Sequence, residues 1–425
     1  MLIVIVALGS RGDVQPYVAL GIGLRAAGHE VRLATHESFR DFVVSHDLEF
    51  ALITGDPRET VADPVVQEFL TTGRGGLAVI RHVARFGREF GPGMLGDIAR
   101  ACDGADAILY SFVGAAAWNV GSARGVPTIA ALLQPITATR DFPAMGMPPR
   151  LRLGGRGNLL SHRFFEQMAW QAVRRITNRW RQGSLGLPPL PFGGPYAEMA
   201  RTGAATMYAF SRHVVPRPTD WPATVQMTGY WFLDAAPDWQ PPEALVQFLA
   251  AGPPPVYIGF GSMTPRDSER LTSMAVAALD RAGQRGILAA GWGNLGEGNL
   301  PSTIQAVRDV PHAWLFPRMS AVAHHGGAGT TAAGVRAGIP SIVLPIFGDQ
   351  LFWGARTEAL GVGPRAISRR ALTVDGLASA IIIAQSSDRM RERASRLGAL
   401  VRAEDGVARA IDRIDAMLVS RGRSR

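Results

Sequence analysis

The chain reads as an α/β protein made of two doubly wound parallel-sheet domains in tandem. Three observations predict this. Short apolar runs alternate with helical patterns from residue 2 onward, which calls for parallel strands joined by right-handed crossovers. The alternation stops at Val215–Pro242, a stretch dense in proline and tryptophan (Pro216, Pro218, Trp221, Pro222, Trp231, Pro237). Prolines at that density stiffen a connector and block helices and central strands. The alternation then restarts at Val256 and reaches a glycine-rich turn, His324-His325-Gly326-Gly327-Ala328-Gly329-Thr330-Thr331.

In the N-terminal half, Leu2–Leu8 is apolar and bounded by Gly9, as a buried parallel strand is. It has no basic n-region, so it reads as a strand and not a signal peptide. Pro16–Ala27 carries apolar residues at helical spacing (Tyr17, Leu20, Leu24) and Gly28 closes it. Val31–Ala34 is a second strand, Ser38–Ser45 a helix and Phe50–Ile53 a third strand. Ala107–Tyr110, Thr128–Leu132 and Ala205–Ala209 follow as strands. Arg150–Gln182 holds eight arginines against Glu166, with Phe164, Met168, Trp170 and Ile176 at near-helical spacing. It has two readings: a basic amphipathic face at a membrane surface or acceptor roof, or a packed helix with a solvated arginine side.

In the C-terminal half, Val256–Phe260, Gly286–Ala290 and Ile304–Val307 read as strands, and Ser268–Ala282 as a helix. An apolar run at 320–323 leads into the glycine turn. A helix runs to Ala337 and ends at Gly338, and a second apolar run, Ile339–Pro345, precedes Gly348-Asp349-Gln350. Residues from Val374 onward read as helices, the last crossing back to the first domain. The expected organisation is 1–215 for the N-terminal domain, 216–241 for the linker, 242–402 for the C-terminal domain and 403–425 for the last helix.

At 425 residues each half can build its own core. No apolar run approaches the ~20 residues that span a bilayer. The single cysteine, Cys102, excludes an internal disulfide and fits a reducing cytoplasm. The net charge is +9, and every one of the 44 basic residues is arginine. That balance favours anionic partners such as a nucleotide or a membrane surface. Neither basic–aromatic interleaving nor zinc-ligand spacing points to nucleic acid.

The glycine turn suits a phosphate. A helix N-terminus offers unpaired N–H groups and partial positive charge, and glycines let the backbone close on an anion. Thr330 and Thr331 add hydroxyls, and His325 can donate a ring N–H. Asp349 and Gln350 lie past a strand's carboxyl end, where such sheets bind ligands. A carboxylate beside an amide both accepts from and donates to sugar hydroxyls. Asp13, after the first strand, reads by itself as a cap for the helix near Pro16.

These motifs resemble those of the GT-B glycosyltransferases of the UDP-glycosyltransferase superfamily. The donor-site wording is His324–Thr331 with Asp349-Gln350. Trp314-Leu315-Phe316-Pro317, Phe352-Trp353 and the N-terminal Gly9-Ser10-Arg11-Gly12-Asp13-Val14-Gln15-Pro16 resemble in particular sterol 3-β-glucosyltransferases and natural-product glycosyltransferases. The resemblance implies two facing Rossmann-like domains and inverting transfer of a hexose, by default glucose from UDP-glucose, to a hydrophobic acceptor such as a sterol. A TDP-deoxysugar transferase acting on a macrolide, or a nucleotide-sugar epimerase, are the alternatives. It places Asp13 as the base. On the donor it places Gly261 and Ser262 near the diphosphate, Trp292 at the cleft wall, and Val310 and His312 at the nucleobase. His325, Gly327, Gly329 and Thr330 then take the phosphates, and Asp349 and Gln350 the sugar. Members carry a tryptophan where this chain has Asp309. With no Asp-x-Asp motif, no metal and no resident cofactor are expected. The implied setting is cytoplasmic, with peripheral membrane contact as one reading of the basic segment.

Overall fold

The computed structural model describes residues 1–56, 91–147, 153–236, 238–261, 268–291 and 298–422, with a few isolated positions between them. The first domain is a seven-stranded parallel sheet. Its strands are β1 (Leu2–Val6), β2 (Glu30–Thr35), β3 (Glu49–Leu52), β4 (Ala107–Tyr110), β5 (Thr128–Leu132), β6 (Ala205–Tyr208) and β7 (Val225–Met227), in the order β3-β2-β1-β4-β5-β6-β7. The second domain is a five-stranded parallel sheet of β8 (Val256–Gly259), β9 (Gly286–Ala289), β10 (Ile304–Val307), β11 (Ala321–His324) and β12 (Ser341–Val343). Its order is β10-β9-β8-β11-β12.

Both sheets reverse their winding beside the first strand, between β1 and β4 and between β8 and β11. A ligand crevice opens at such a reversal, outside the carboxyl ends of the strands. The helices leaving these points are α1 (Arg11–Ala26), after β1, and α2 (Ala328–Ala337), after β11. Both strands are fully buried on each face, β1 through Ile3, Val4, Ile5 and Val6, and β11 through Ala321, Val322 and Ala323. Rigid strands therefore fix where the two helices begin.

The connector differs from the expectation. Three of its residues form β7, an edge strand beside β6, with Thr206 opposite Val225. Prolines flank this strand without interrupting it (Pro222 before it, and Pro237 well after), so an edge position is compatible with them. Further residues of the connector join an aromatic cluster in which Tyr208 stacks on Trp221 at 4.8 Å. That cluster is continuous with Val335, Trp353 and Leu397 of the second domain. The last helix, α3 (Gly406–Gly422), lies on α1 of the first domain. Ala410 and Ile414 are buried in that core, and His29 Nε2 meets Asp415 Oδ1 at 3.0 Å. Among the described residues no helix is long and apolar enough to cross a membrane.

Candidate functional site

The glycine turn after β11 is shaped around His325. Gly326 has φ +91°, and a Cβ there would meet Val343 at 2.6 Å. A Cβ on Gly327 would lie 2.5 Å from His325 Nε2, and one on Gly261 2.8 Å from His325 Cε1. Glycines on both flanks leave room for that ring alone. Gly327 is the N-cap of α2, so the N–H groups of Ala328, Gly329 and Thr330 have no partner within the helix. His325 Nδ1 and Thr331 Oγ1 are buried without a hydrogen-bond partner, as is His324 Nε2, while His324 Nδ1 accepts from Gly326 N at 3.0 Å. Burial lowers the His325 pKa to about 4, so the ring is neutral at physiological pH and can donate one N–H. A helix N-terminus with unpaired N–H groups and two unpartnered buried polar side chains beside it can hold an anion.

The second polar group follows β12. Gly348, at φ +64°, turns the chain into α4 (Asp349–Leu360). Asp349 Oδ2 accepts from Trp353 Nε1 at 3.0 Å and the carboxylate also accepts from the Gln134 side chain. Gln134 follows β5 in the first domain, so this bond spans the crevice. Desolvation, then repulsion from Asp13, raises the Asp349 pKa to about 7. Gln350 is buried and its Oε1 accepts from Ile346 N at 2.8 Å and Phe347 N at 3.3 Å. Its carbonyl therefore holds the turn that presents Asp349.

Across the crevice, Asp13 sits in the first turn of α1. Its Oδ2 accepts from Ser10 N and Ser10 Oγ, both at 2.9 Å. The helix begins at Arg11 and not near Pro16, so Asp13 is not its cap: Ser10 is the N-cap, and Asp13 stands at the third helical position and closes a capping box on it. Burial raises its pKa, and the two Ser10 bonds oppose this. A buried carboxylate with a raised pKa is a stronger base than an exposed one. A Cβ on Gly329 would touch Gly12 Cα and O, each at 3.8 Å, so the N-termini of α1 and α2 face each other. Pro16, inside α1, has no N–H to offer the Gly12 carbonyl four residues back.

The segment expected to meet a nucleobase is arranged less directly. His312 Nε2 lies 3.3 Å from the Tyr257 hydroxyl, and its ring stacks on Phe316 at 4.3 Å. Burial, with Arg11 and His325 nearby, lowers its pKa to about 4. Val310 is half-buried beside it. Asp309 adopts φ +53° and lies 3.9 Å from Arg11 of the opposite domain, with both side chains exposed. Trp314 packs edge-on to Trp239 at 5.5 Å under Arg318. Ser262 and Trp292 lie outside the described residues.

Asp13, Gly329 and Asp349 thus border one crevice, with Gly327, Thr330 and His325 on its α2 side and Gly261 behind that ring. Sequence reading missed Gln134 and Arg11. Gln134 belongs to no motif, and Arg11 stands in the Gly9–Pro16 run without a role there; the meeting of the domains gives both their partners.

Two family models match the chain. The glycosyltransferase family 28 N-terminal domain matches residues 3–137, and the erythromycin biosynthesis protein CIII-like C-terminal domain matches residues 289–416. The sterol 3-beta-glucosyltransferase of Emericella nidulans is 39% identical over 419 residues, covering 96% of this chain and 29% of that protein. The Cryptococcus neoformans sterol 3-beta-glucosyltransferase is 37% identical over 438 residues, covering 97% and 27%. This chain therefore spans less than a third of these relatives. Among solved structures, the glycotransferase of kitacinnamycin superposes with TM-score 0.70 at 22% identity over 98% of both chains. The calicheamicin glycosyltransferase CalG4 gives 0.69 at 19% over 98% of both. VinC, in complex with dTDP, gives 0.65 at 18% over 97% of this chain and all of the other.

Proposed function

We propose that the chain is a GT-B glycosyltransferase that transfers glucose from UDP-glucose to a sterol hydroxyl with inversion, a reading supported by the two family models, the sterol 3-beta-glucosyltransferase relatives and the solved glycosyltransferases of the same fold. The observation that carries the reading is the opposition of two groups in one crevice: a carboxylate, Asp13, and the open N-terminus of α2. The pyrophosphate rests on the N–H groups of Gly329 and Thr330, with His325 donating its ring N–H. Asp349 accepts from the sugar hydroxyls, and Gln350 holds the turn beneath it. The acceptor oxygen bonds to the anomeric carbon as the bond to the phosphate oxygen breaks. Its proton passes to Asp13, and UDP leaves with the electron pair. The α2 dipole, its N–H groups and His325 stabilise that departing charge. Positive charge developing on the sugar lies between two carboxylates.

Glucose and sterol are favoured by the sterol 3-beta-glucosyltransferase relatives at 37–39% identity. A TDP-deoxysugar donor and natural-product acceptor are the second reading, favoured by the natural-product glycosyltransferases of the same fold, one of them bound to dTDP. A donor-by-acceptor panel read by mass spectrometry decides between them. UDP-glucose with a sterol is expected to give a steryl glucoside and UDP. UDP release that needs no alcohol, or an epimerised sugar nucleotide, overturns the transferase reading.

A further inference from the structure

The helix α5 (Gly154–Gly183) and the turn after it carry a surface that the sugar-transfer site does not use. Among the described residues, the three most exposed large apolar side chains are Leu160 at 69%, Phe192 at 66% and Phe164 at 63%, and all three lie here. Leu160, Phe164 and the exposed Met168 are spaced four apart, so they stack along one face of α5. Phe192 lies against the same helix. Its carbonyl accepts from Gln167 and Gln171, and Arg174 lies 5.2 Å from its ring. Exposed arginines, Arg156, Arg163 and Arg175, flank the stripe. The only carboxylate on the helix, Glu166, is bound to Arg163 at 2.9 Å. Trp170 and Trp180 pack inward, yet a helix that only packed and solvated its arginines would not leave Leu160, Phe164 and Met168 exposed in a row.

We propose that this face docks the protein on an anionic lipid bilayer and delivers the acceptor from it. The occupant follows from charge complementarity. Aromatic and aliphatic tips enter the acyl boundary while arginines meet lipid phosphates, the pattern of an interfacial helix. Delivery follows from what α5 holds on its other side. Asn158 Nδ2 donates to Arg140 O, His162 Nε2 lies 3.1 Å from Phe142 O, and Ala144 N donates to Ser161 Oγ. The loop so fixed presents Phe142 to Phe352 at 5.2 Å, and Phe352 adjoins Trp353, the donor to Asp349. An apolar acceptor leaving the bilayer thus meets a short aromatic path to the crevice. This delivery step rests on the sterol reading, whereas the docking does not.

The test uses the full chain with vesicles of phosphatidylcholine alone or mixed with phosphatidylglycerol. The protein is expected to co-sediment with the anionic vesicles, less so with neutral ones, and to release as salt rises. L160D/F164D should weaken binding by about tenfold or more, given the loss of two inserted apolar groups. R156E/R175E should weaken binding to anionic vesicles alone. UDP affinity by calorimetry should be unchanged in both variants, as the substituted side chains are exposed and none belongs to the donor site. Turnover of sterol in vesicles should fall in both, while turnover of cyclodextrin-solubilised sterol is retained. Binding to neither vesicle, equal binding by L160D/F164D, or a dimer without lipid that L160D/F164D dissolves would overturn the proposal. Vesicle binding with no UDP-glucose turnover would overturn the transferase reading and leave the docking surface standing.

Discussion

Replacing Asp349 with asparagine should make the ligand-free protein more stable at neutral pH while removing sugar transfer. The carboxylate is desolvated and faces Asp13, and its pKa stands at about 7 against an ordinary 3.8. The folded state therefore holds this proton more tightly than the unfolded chain does. Stability is full below the unfolded pKa and falls as pH rises towards the folded one, by up to about 1.4 kcal/mol per pH unit. Across the whole interval the loss is about 4 kcal/mol, and about 2 kcal/mol remains if solvent relaxation halves it. Asparagine is nearly isosteric and can still accept from Trp353, but cannot ionise. Urea unfolding of the two proteins should give matching midpoints near pH 4 and a widening gap in favour of the variant up to about pH 8. Titrating groups remote from the crevice cancel in that difference. A gap independent of pH, or one favouring the native protein at high pH, would refute the crowding of two carboxylates in the crevice.

Asp13→Asn keeps an oxygen for the Ser10 N–H and cannot take a proton. Turnover should fall by about 10²–10⁴-fold with the melting temperature and UDP affinity retained, and unchanged turnover would leave only the capping box. His325→Ala should weaken UDP binding by about tenfold or more in calorimetry, the loss of one hydrogen bond to a charged group; equal affinity would remove His325 from the phosphate site. Gly327→Ala places a Cβ against His325 Nε2, so UDP affinity should drop even though helix stability changes by only about 1 kcal/mol or less. Gln134→Leu removes a donor that lowers the Asp349 pKa, so the break in the pH–stability curve should move to higher pH.

Much of the fold was legible because parallel strands buried on both faces are short apolar runs. Ala107–Tyr110, Thr128–Leu132 and Ile304–Val307 match the observed strands residue for residue, and the others differ by one or two positions at their ends. Fraying ends carry weak pattern, which is where the differences fall. β7 escaped because three residues between prolines have no readable period. The glycine turn was legible for a different reason: Gly326 and Gly327 stand where the backbone crowds His325 and Gln350, so sequence and close approach coincide. In the sequence Asp13 reads as a cap for a helix near Pro16 or, by resemblance, as a base; the helix begins earlier, at Arg11, because Ser10 caps it, and Asp13 backs that cap from inside the first turn. Gln134 and Arg11 were illegible because their partners, Asp349 and Asp309, lie more than 200 residues away in the other domain. Gln350 reads with Asp349 as a pair for sugar hydroxyls, whereas its carbonyl supports the turn, a role visible only with the loop in place.

The most direct measurement is a crystal structure of the full chain with UDP bound. The β-phosphate should lie within hydrogen-bonding distance of the Gly329 and Thr330 amides and the His325 ring, with the Asp13 carboxylate facing it across an open space the size of one sugar. A nucleotide bound elsewhere, with the start of α2 left empty, would contradict that arrangement.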